Sequence, residues 1–175
     1  MVTVAIGWGG MYYGVTVVAA ENWVFLVYQL PREPSTPRIA VWRRLKRLGV
    51  AQLSDGLVAL PHDASTKEQL EWVAHEITEA GGTATIWITT PTVRRFGRTL
   101  AESLAAERAA EYGEVAGEAG SAFATEPGER SRALRRLRAE YRRIERRDYF
   151  PPPEQDEARE LLERLADSLG AETIS

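Results

Sequence analysis

The stretch FLVYQLPREPSTPRIAVWRRLKRLG, residues 25–49, places a strand, a proline-rich loop and a basic helix in direct succession. The segment Trp23–Gln29 is uncharged and rich in β-branched and aromatic residues, which predicts a strand buried on both faces or nearly so. Thr36 suits the N-cap position, and the proline that follows it suits the first helical position. The sequence therefore predicts a helix over Pro37–Leu48 that ends at Gly49.

This first helix is predicted to have two different faces. At about 100° per residue, one sector of the helix is apolar and the opposite sector is basic. The apolar sector holds Val41, Trp42, Leu45 and Leu48, and the basic sector holds Arg43, Arg44, Lys46 and Arg47. We therefore expect the helix to pack through its apolar sector and to present its cations to solvent.

The next segments predict a β-hairpin and a second helix. Val50–Ser54 and Leu57–Leu60 are separated by Asp-Gly, a pair that favours a hairpin with a type I′ turn. The helix that follows has Ser65 and Glu68 at capping-box spacing and an apolar stripe, and it ends at Gly81.

A last strand is predicted at Thr83–Thr89, because this segment alternates and has high β-propensity. The order of elements is then β-α-β-β-α-β. Two interleaved crossovers in this order give a ferredoxin-like core, in which a four-stranded antiparallel sheet carries both helices on one face. The predicted fold class is α+β, with a ferredoxin-like core followed by a helical C-terminal extension.

Composition divides the rest of the chain. Residues 1–20 are interrupted by glycines and lack the basic region of a secretory signal, so we interpret them as a loosely ordered extension or as the result of a misassigned start codon. They also fall short of the roughly 18 apolar residues that a membrane span needs, and no membrane partner is expected. The predicted divisions are 1–22 for the N-terminal extension, 23–90 for the ferredoxin-like domain, 91–112 for a helix, 113–129 for a linker, 130–150 for a basic amphipathic helix and 151–175 for an acidic helix and tail.

Charge is strongly segmented, although the net charge is only −3. Residues 32–47 contain six basic residues and one acid, and residues 130–147 contain nine arginines and two glutamates. Residues 148–175 carry eight acids and two arginines. Because the last two segments have leucines at helical spacing and opposite charges, we expect their helices to pair with each other.

Residues that commonly carry enzyme chemistry are few. Cysteine is absent, which excludes thiol chemistry and is compatible with the cytoplasmic location that we predict. His62 and His75 do not form a metal-ligand motif. Gln29 stands where a metal-binding acid would end the first strand, which leaves Asp55 and Asp63 as candidates. We interpret these two as a turn residue and a residue that precedes a helix. We therefore predict no catalytic site, no metal and no cofactor.

The basic surface is the functional feature that remains. Almost no acids accompany the cations of the first helix, and an arginine can contact a phosphate through two hydrogen bonds. This pattern predicts binding to a polyanion, with DNA as the expected partner. The predicted DNA-binding residues are Arg38, Arg43, Arg44, Lys46, Arg47, Arg94, Arg95, Arg98, Arg135, Arg136, Arg142 and Arg143.

Two motifs resemble a known family. LPREPSTPR at residues 30–38 and VWRRLKRLG at residues 41–49 are similar to the N-terminal domain of the ChrB proteins, bacterial regulators of chromate efflux operons. The resemblance is close from Trp23 to about Thr90 and looser up to Phe150. Longer members of the family continue into a C-terminal chromate-resistance domain.

The resemblance implies a ferredoxin-like, DNA-binding domain in a transcription regulator of chromate resistance. The DNA contacts that it implies are Arg38, Arg43, Arg44, Lys46 and Arg47. It also relates the domain to small CRISPR-adaptation proteins, so a metal-dependent nuclease stays open as an alternative, as does a non-catalytic dimerisation or docking module. Arg32 and Arg38, beside the proline-rich loop, are candidates for binding chromate or another oxyanion effector. A homodimer is a candidate assembly.

Overall fold

The computed structural model describes residues 20–172, which contain one four-stranded sheet and five helices. In chain order the elements are β1 (Trp23–Gln29), α1 (Ser35–Leu48), β2 (Ala51–Ser54), β3 (Leu57–Pro61), α2 (Ala64–Glu79), β4 (Thr83–Thr89), α3 (Arg94–Ala122), α4 (Pro127–Glu145) and α5 (Glu154–Glu172). The predicted N-terminal extension lies largely outside the described residues. None of the helices in the described part is long and apolar enough to cross a membrane.

The sheet has the strand order β2-β3-β1-β4, and each pair of neighbours is antiparallel. With α1 and α2 as crossovers, this is the order of a ferredoxin-like core, so the predicted fold class is confirmed. Both helices pack on one face of the sheet, as expected. The buried residues of that layer are Val24, Leu26, Val41, Leu45, Val58, Leu60, Leu70, Val73 and Ile77.

The opposite face of the sheet is partly covered by α3. Trp23 is fully buried there, in a cluster with Ala101 and Leu104 of α3. Its ring also contacts the ring of Phe150, with 6.0 Å between centroids. The first half of β1 is therefore buried on both faces, as predicted, whereas Val27 near its end is exposed.

The helices α3, α4 and α5 form a second packing unit, a three-helix bundle. Its buried core consists of Tyr112, Val115, Ala116, Ala119, Ala122, Leu134, Leu137, Ile144, Ala158, Leu162 and Leu165. The predicted pairing of the basic helix with the acidic helix is confirmed. The helices pack through these apolar side chains, while Arg136 and Arg143 of α4 pair with Glu118 of α3 and Glu140 of α4.

α3 is longer than the sequence predicts. The segment 113–129 is predicted to be a linker, but α3 continues to Ala122. The prediction rested on the mixture of glycine, alanine and acidic residues in this segment, and glycine lowers helix propensity. In the structure Val115, Ala116 and Ala119 recur on the face that is buried in the bundle. Tertiary packing of this face therefore outweighs the low propensity of the glycines.

Two helix starts also differ from prediction. The extended residue that precedes α1 is Pro34, so Thr36 lies inside the helix and is not its N-cap. In α2 the capping box uses Asp63 and Thr66, not Ser65 and Glu68. The Thr66 N–H donates to Asp63 Oδ1 at 2.7 Å, and the Asp63 N–H donates to Thr66 Oγ1 at 3.0 Å. Asp63 thus has the helix-start role that the sequence predicted for it.

The hairpin between β2 and β3 is present, but its turn is not of type I′. Of the two turn residues, Gly56 has a positive φ, +75°, and Asp55 does not, whereas type I′ requires a positive φ at both. A Cβ on Gly56 would lie 2.3 Å from the carbonyl oxygen of Tyr28. The Tyr28 N–H donates to the Gly56 carbonyl at 2.7 Å, so the turn lies against β1 and needs glycine at this position.

Candidate nucleic-acid interface

α1 packs on the core and presents cations to solvent, as its sequence predicts. Its residues Val41 and Leu45 are buried against the core. Its exposed cations that form no ion pair or side-chain hydrogen bond within residues 20–172 are Arg38, Arg43, Lys46 and Arg47. We call these four residues the α1 basic face. No acidic residue occurs in α1, so the helix itself provides nothing to neutralise them.

Arg44 differs from the α1 basic face. Its guanidinium pairs with the carboxylate of Glu76 on α2, and both side chains are partly buried. Among the residues predicted to bind DNA, Arg44 is therefore engaged by the protein's own carboxylate. Its position on the side of α1 that faces α2 explains the pairing, because α1 and α2 lie side by side on the sheet.

Trp42 is exposed, contrary to the prediction from the sequence. It was predicted to belong to the packing sector of α1, but 55% of it is exposed. Trp42 lies about 100° from Val41 around the helix, at the edge of the apolar sector. Since Val41 and Leu45 fill the contact with the core, Trp42 stays at the surface.

Arg94, Arg95 and Arg98 lie apart from the α1 basic face. All three are exposed in the first turns of α3, which packs on the face of the sheet opposite to α1. Arg95 lines an apolar groove of about 650 Å³ together with Phe25 and Phe96. The structure therefore does not unite these three arginines with the cations of α1.

α4 carries a second basic surface, opposite its buried Leu134, Leu137 and Ile144. We call the exposed arginines of α4 and of its C-cap the α4 basic face: Arg132, Arg135, Arg136, Arg138, Arg142, Arg143 and Arg146. Arg132, Arg138 and Arg146 were missing from the predicted set, although the helical period places them on the same arc. The pairs formed by Arg136 and Arg143 are exposed, so they hold these side chains only weakly.

Two further arginines of the basic segment 130–147 contact other parts of the protein instead of solvent. Arg130 is largely buried and donates to the carbonyls of Phe123 and Thr125, at 3.1 and 2.9 Å. It thereby fixes the turn between α3 and α4. Arg147, after the end of α4, pairs with Glu111 of α3 at 3.0 Å. The total number of arginines in this segment therefore overstates the cations that face solvent.

The C-terminal ends of α1 and α4 meet. Gly49 ends α1 with a φ of +67°, and a Cβ on it would lie 3.1 Å from the Cβ of Arg147 and 2.8 Å from Arg108 Nη1. The Tyr149 hydroxyl donates to the carbonyl oxygen of Leu48 at 2.8 Å. These contacts bring the two basic helices together at one corner of the molecule.

A buried polar network, which we call the junction network, supports this corner. Arg108 of α3 is only 4% exposed in its side chain. Its Nη2 lies 3.1 Å from Glu107 Oε2, and its Nε lies 3.1 Å from Glu111 Oε2. Glu111 Oε2 is also the partner of Arg147, so one carboxylate bridges two arginines. The network thereby links α3 to the end of α4 directly beside the end of α1.

Tyr112 and Asp148 extend the junction network. The Tyr112 hydroxyl donates to Asp148 Oδ2 at 3.1 Å and accepts a hydrogen bond from Gln155 Nε2 at 3.1 Å. Burial raises the pKa of the Asp148 carboxyl above its usual value, although the Tyr112 hydrogen bond acts in the opposite direction. The sequence did not predict this network, because its contacts between α3 and residues 147–155 join segments that are far apart in the chain.

Replacing Tyr149 by phenylalanine is expected to lower the free energy of unfolding by about 1 kcal/mol, because the Leu48 carbonyl loses its donor. Burial also raises the pKa of Tyr149 to about 12 from 10.0, so its contribution to stability is fully present below pH 10 and is lost as the pH rises through about 12. Urea denaturation at neutral pH measures the difference. Tyr141→Phe is the control, since no hydrogen bond of the Tyr141 hydroxyl occurs within residues 20–172, and an equal loss in both variants would contradict the assignment.

Most of the chain matches a known protein family. The family model described as Protein ChrB, N-terminal, matches residues 38–172. The chain belongs to this family. The ChrB N-terminal match runs from the first turn of α1 to the end of α5, so it includes the helical bundle as well as most of the ferredoxin-like core. The resemblance expected from the sequence is close only up to about Thr90.

One curated relative is Protein ChrB of Cupriavidus metallidurans (strain ATCC 43123 / DSM 2839 / NBRC 102507 / CH34). It is 29% identical over 133 residues, which are 74% of this chain and 40% of the relative. The chain therefore spans less than half the length of this ChrB protein. No solved structure matches the chain.

The nuclease alternative requires carboxylates or histidines that converge on a metal ion. Within the described residues, no three side chains of His, Asp or Glu come together in such a group. Gln29 ends β1 as predicted, and Asp55 lies exposed in the hairpin turn.

Proposed function

We propose that this member of the ChrB N-terminal family is a non-enzymatic, cytoplasmic DNA-binding regulator of bacterial chromate resistance. The observation that carries the proposal is the α1 basic face, which combines four exposed cations with a helix that contains no acid. Family membership supports the role in chromate resistance, because the sequence motifs of α1 resemble those of the chromate regulators. Phosphate oxygens are the complementary ligands for such a surface.

The meeting of α1 and α4 supports a bipartite contact. Because the Tyr149–Leu48 hydrogen bond and the close approach of Arg147 to Gly49 hold the ends of both helices together, the α1 and α4 basic faces can contact neighbouring stretches of one DNA molecule. Phosphate contacts of this kind position a protein on DNA and supply affinity without reading bases. In this proposal α1 makes the principal contact and α4 adds to it.

An oxyanion effector would act on the same surface. Arg32 lies in the loop before α1 and Arg38 lies in α1, and both are exposed. We propose that chromate or a similar dianion bound by both guanidinium groups competes with DNA for Arg38. A homodimer would present two copies of α1 to one DNA site, as symmetric regulators do.

The proposal is tested by a fluorescence-anisotropy titration of a labelled duplex from the chain's own promoter region. If each residue of the α1 basic face contacts one phosphate, affinity should fall about a hundredfold from about 50 mM to about 200 mM salt, through counterion release. An unchanged anisotropy at the lowest salt would contradict DNA binding. Binding that does not depend on salt would contradict phosphate contact by these cations.

A further inference from the structure

An exposed tryptophan lies in line with two cations on α1. Arg38, Trp42 and Lys46 are four residues apart, so they form one row along the helix, with about 6 Å of axial rise between successive members. Trp42 is 55% exposed, and its neighbour Ile39 is also exposed. The exposed indole is available to stack on a planar partner, because an aromatic ring buries a large area on contact.

Trp42 also lines a small cleft between α1, β2 and α3. The cleft measures about 110 Å³, well below the roughly 300–1,000 Å³ of sites for drug-sized ligands. Its size therefore suits one planar ring system. Leu45, Val50 and Leu100 provide apolar walls.

Polar groups complete the lining of this cleft. Gln52 contributes an amide, Ser103 a hydroxyl and Glu107 a carboxylate, and Lys46 lies at the same site. Glu107 is held in place by Arg108, whose Nη2 is 3.1 Å from Glu107 Oε2. An amide, a hydroxyl and a carboxylate are the groups that recognise the hydrogen-bonding edge of a base, and carboxylates accept from exocyclic amino groups.

We propose that the cleft lined by Trp42 binds one unstacked nucleobase, with the Trp42 indole stacking on the base and with Arg38 and Lys46 on the flanking phosphates. This inference rests on the proposed DNA binding and adds a requirement for an unpaired or extruded nucleotide. A cation on each side of an aromatic ring matches a nucleotide chain, in which every base has a phosphate on either side. An apolar protein partner would leave both cations without a complementary charge.

Anisotropy titrations with three DNA probes of equal length test the inference: a fully paired duplex, a duplex with one bulged nucleotide, and a single strand. The wild-type chain should bind the bulged duplex more tightly than the paired duplex. Trp42→Ala should weaken binding to the bulged duplex about tenfold and abolish this preference. Trp42→Phe, which keeps an aromatic ring, should retain most of the preference.

Trp72→Ala is the matched control, because Trp72 on α2 is similarly exposed, at 57%, but lies outside the cleft. This variant should bind all three probes as the wild type does. If Trp42→Ala binds the bulged duplex as tightly as the wild type, or loses the same factor on the paired duplex, the base-binding cleft is wrong while DNA binding stands. If the wild type binds none of the probes, the proposed function fails first.

Discussion

Replacing Arg43 and Arg47 together by alanine is expected to weaken DNA binding about a hundredfold at about 50 mM salt. Both side chains are exposed on α1, and no ion pair within residues 20–172 compensates them. Each phosphate contact that is lost should also reduce the slope of log affinity against log salt by about 1, so the slope should fall by about 2. Anisotropy titrations at four or more salt concentrations give both quantities.

A double variant of equal charge change controls for the loss of net positive charge. Lys67→Ala with Arg159→Ala also removes two cations, but these lie on α2 and α5 and pair with Glu71 at 2.5 Å and with Asp156 at 2.8 Å. This control should lose much less affinity. Equal losses in the two double variants would show that α1 makes no special contact.

A third double variant distinguishes the two basic helices. Arg135→Ala with Arg142→Ala removes two arginines of the α4 basic face that pair with no acid within the described residues. If this variant loses more affinity than the α1 variant, the principal contact belongs to α4. The proposed division of roles between α1 and α4 would then be reversed.

Arg108→Ala is expected to lower the free energy of unfolding by about 3 kcal/mol. The side chain is buried at the junction between the sheet, α3 and the end of α4, where it contacts Glu107 and Glu111. The value lies at the lower end of the range for breaking a buried ion pair, for two reasons. Arg147 still neutralises Glu111, and Arg108 Nη1 has no hydrogen-bond partner within residues 20–172 to lose.

The matched control for this variant is Arg136→Ala, which breaks an exposed pair with Glu118 between α4 and α3. It should cost less than about 1 kcal/mol, because exposed pairs contribute little. Urea denaturation followed by circular dichroism measures both variants. A similar small loss in both would contradict the structural importance of the junction network.

The core of the fold was predictable because its signals are local. The strand at Trp23–Gln29, the Asp-Gly turn and the apolar stripe of α2 each follow from a short stretch of sequence, and their order specifies the ferredoxin-like topology. The length of α3 was not predictable in this way. Its glycines indicate a break, and only the burial of Val115 and Ala119 against α4 and α5 explains why the helix continues.

The basic residues of α1 were predictable from helical periodicity, but their pairing was not. Arg43 and Arg44 are adjacent in sequence, yet of the two only Arg44 reaches a carboxylate in the described part of the chain, because Glu76 lies on the neighbouring helix. Trp42 was predicted to belong to the packing sector, because helical periodicity gives the direction in which a side chain points. It does not give the width of the helix face that the core covers. The junction network depends on partners such as Tyr112 and Asp148, which only the folded chain brings together.

α3 spans both packing units, and its length has a geometrical consequence. At 1.5 Å per residue its 29 residues extend about 44 Å, and the helix contacts the sheet near Leu104 and the bundle from Tyr112 onward. One residue inserted between these two points would rotate the bundle by about 100° about the α3 axis, whereas seven residues, nearly two turns, would restore the phase. The number of residues in α3 between these two contacts thus sets the rotation of the bundle about the α3 axis, and with it the orientation of α4 relative to α1.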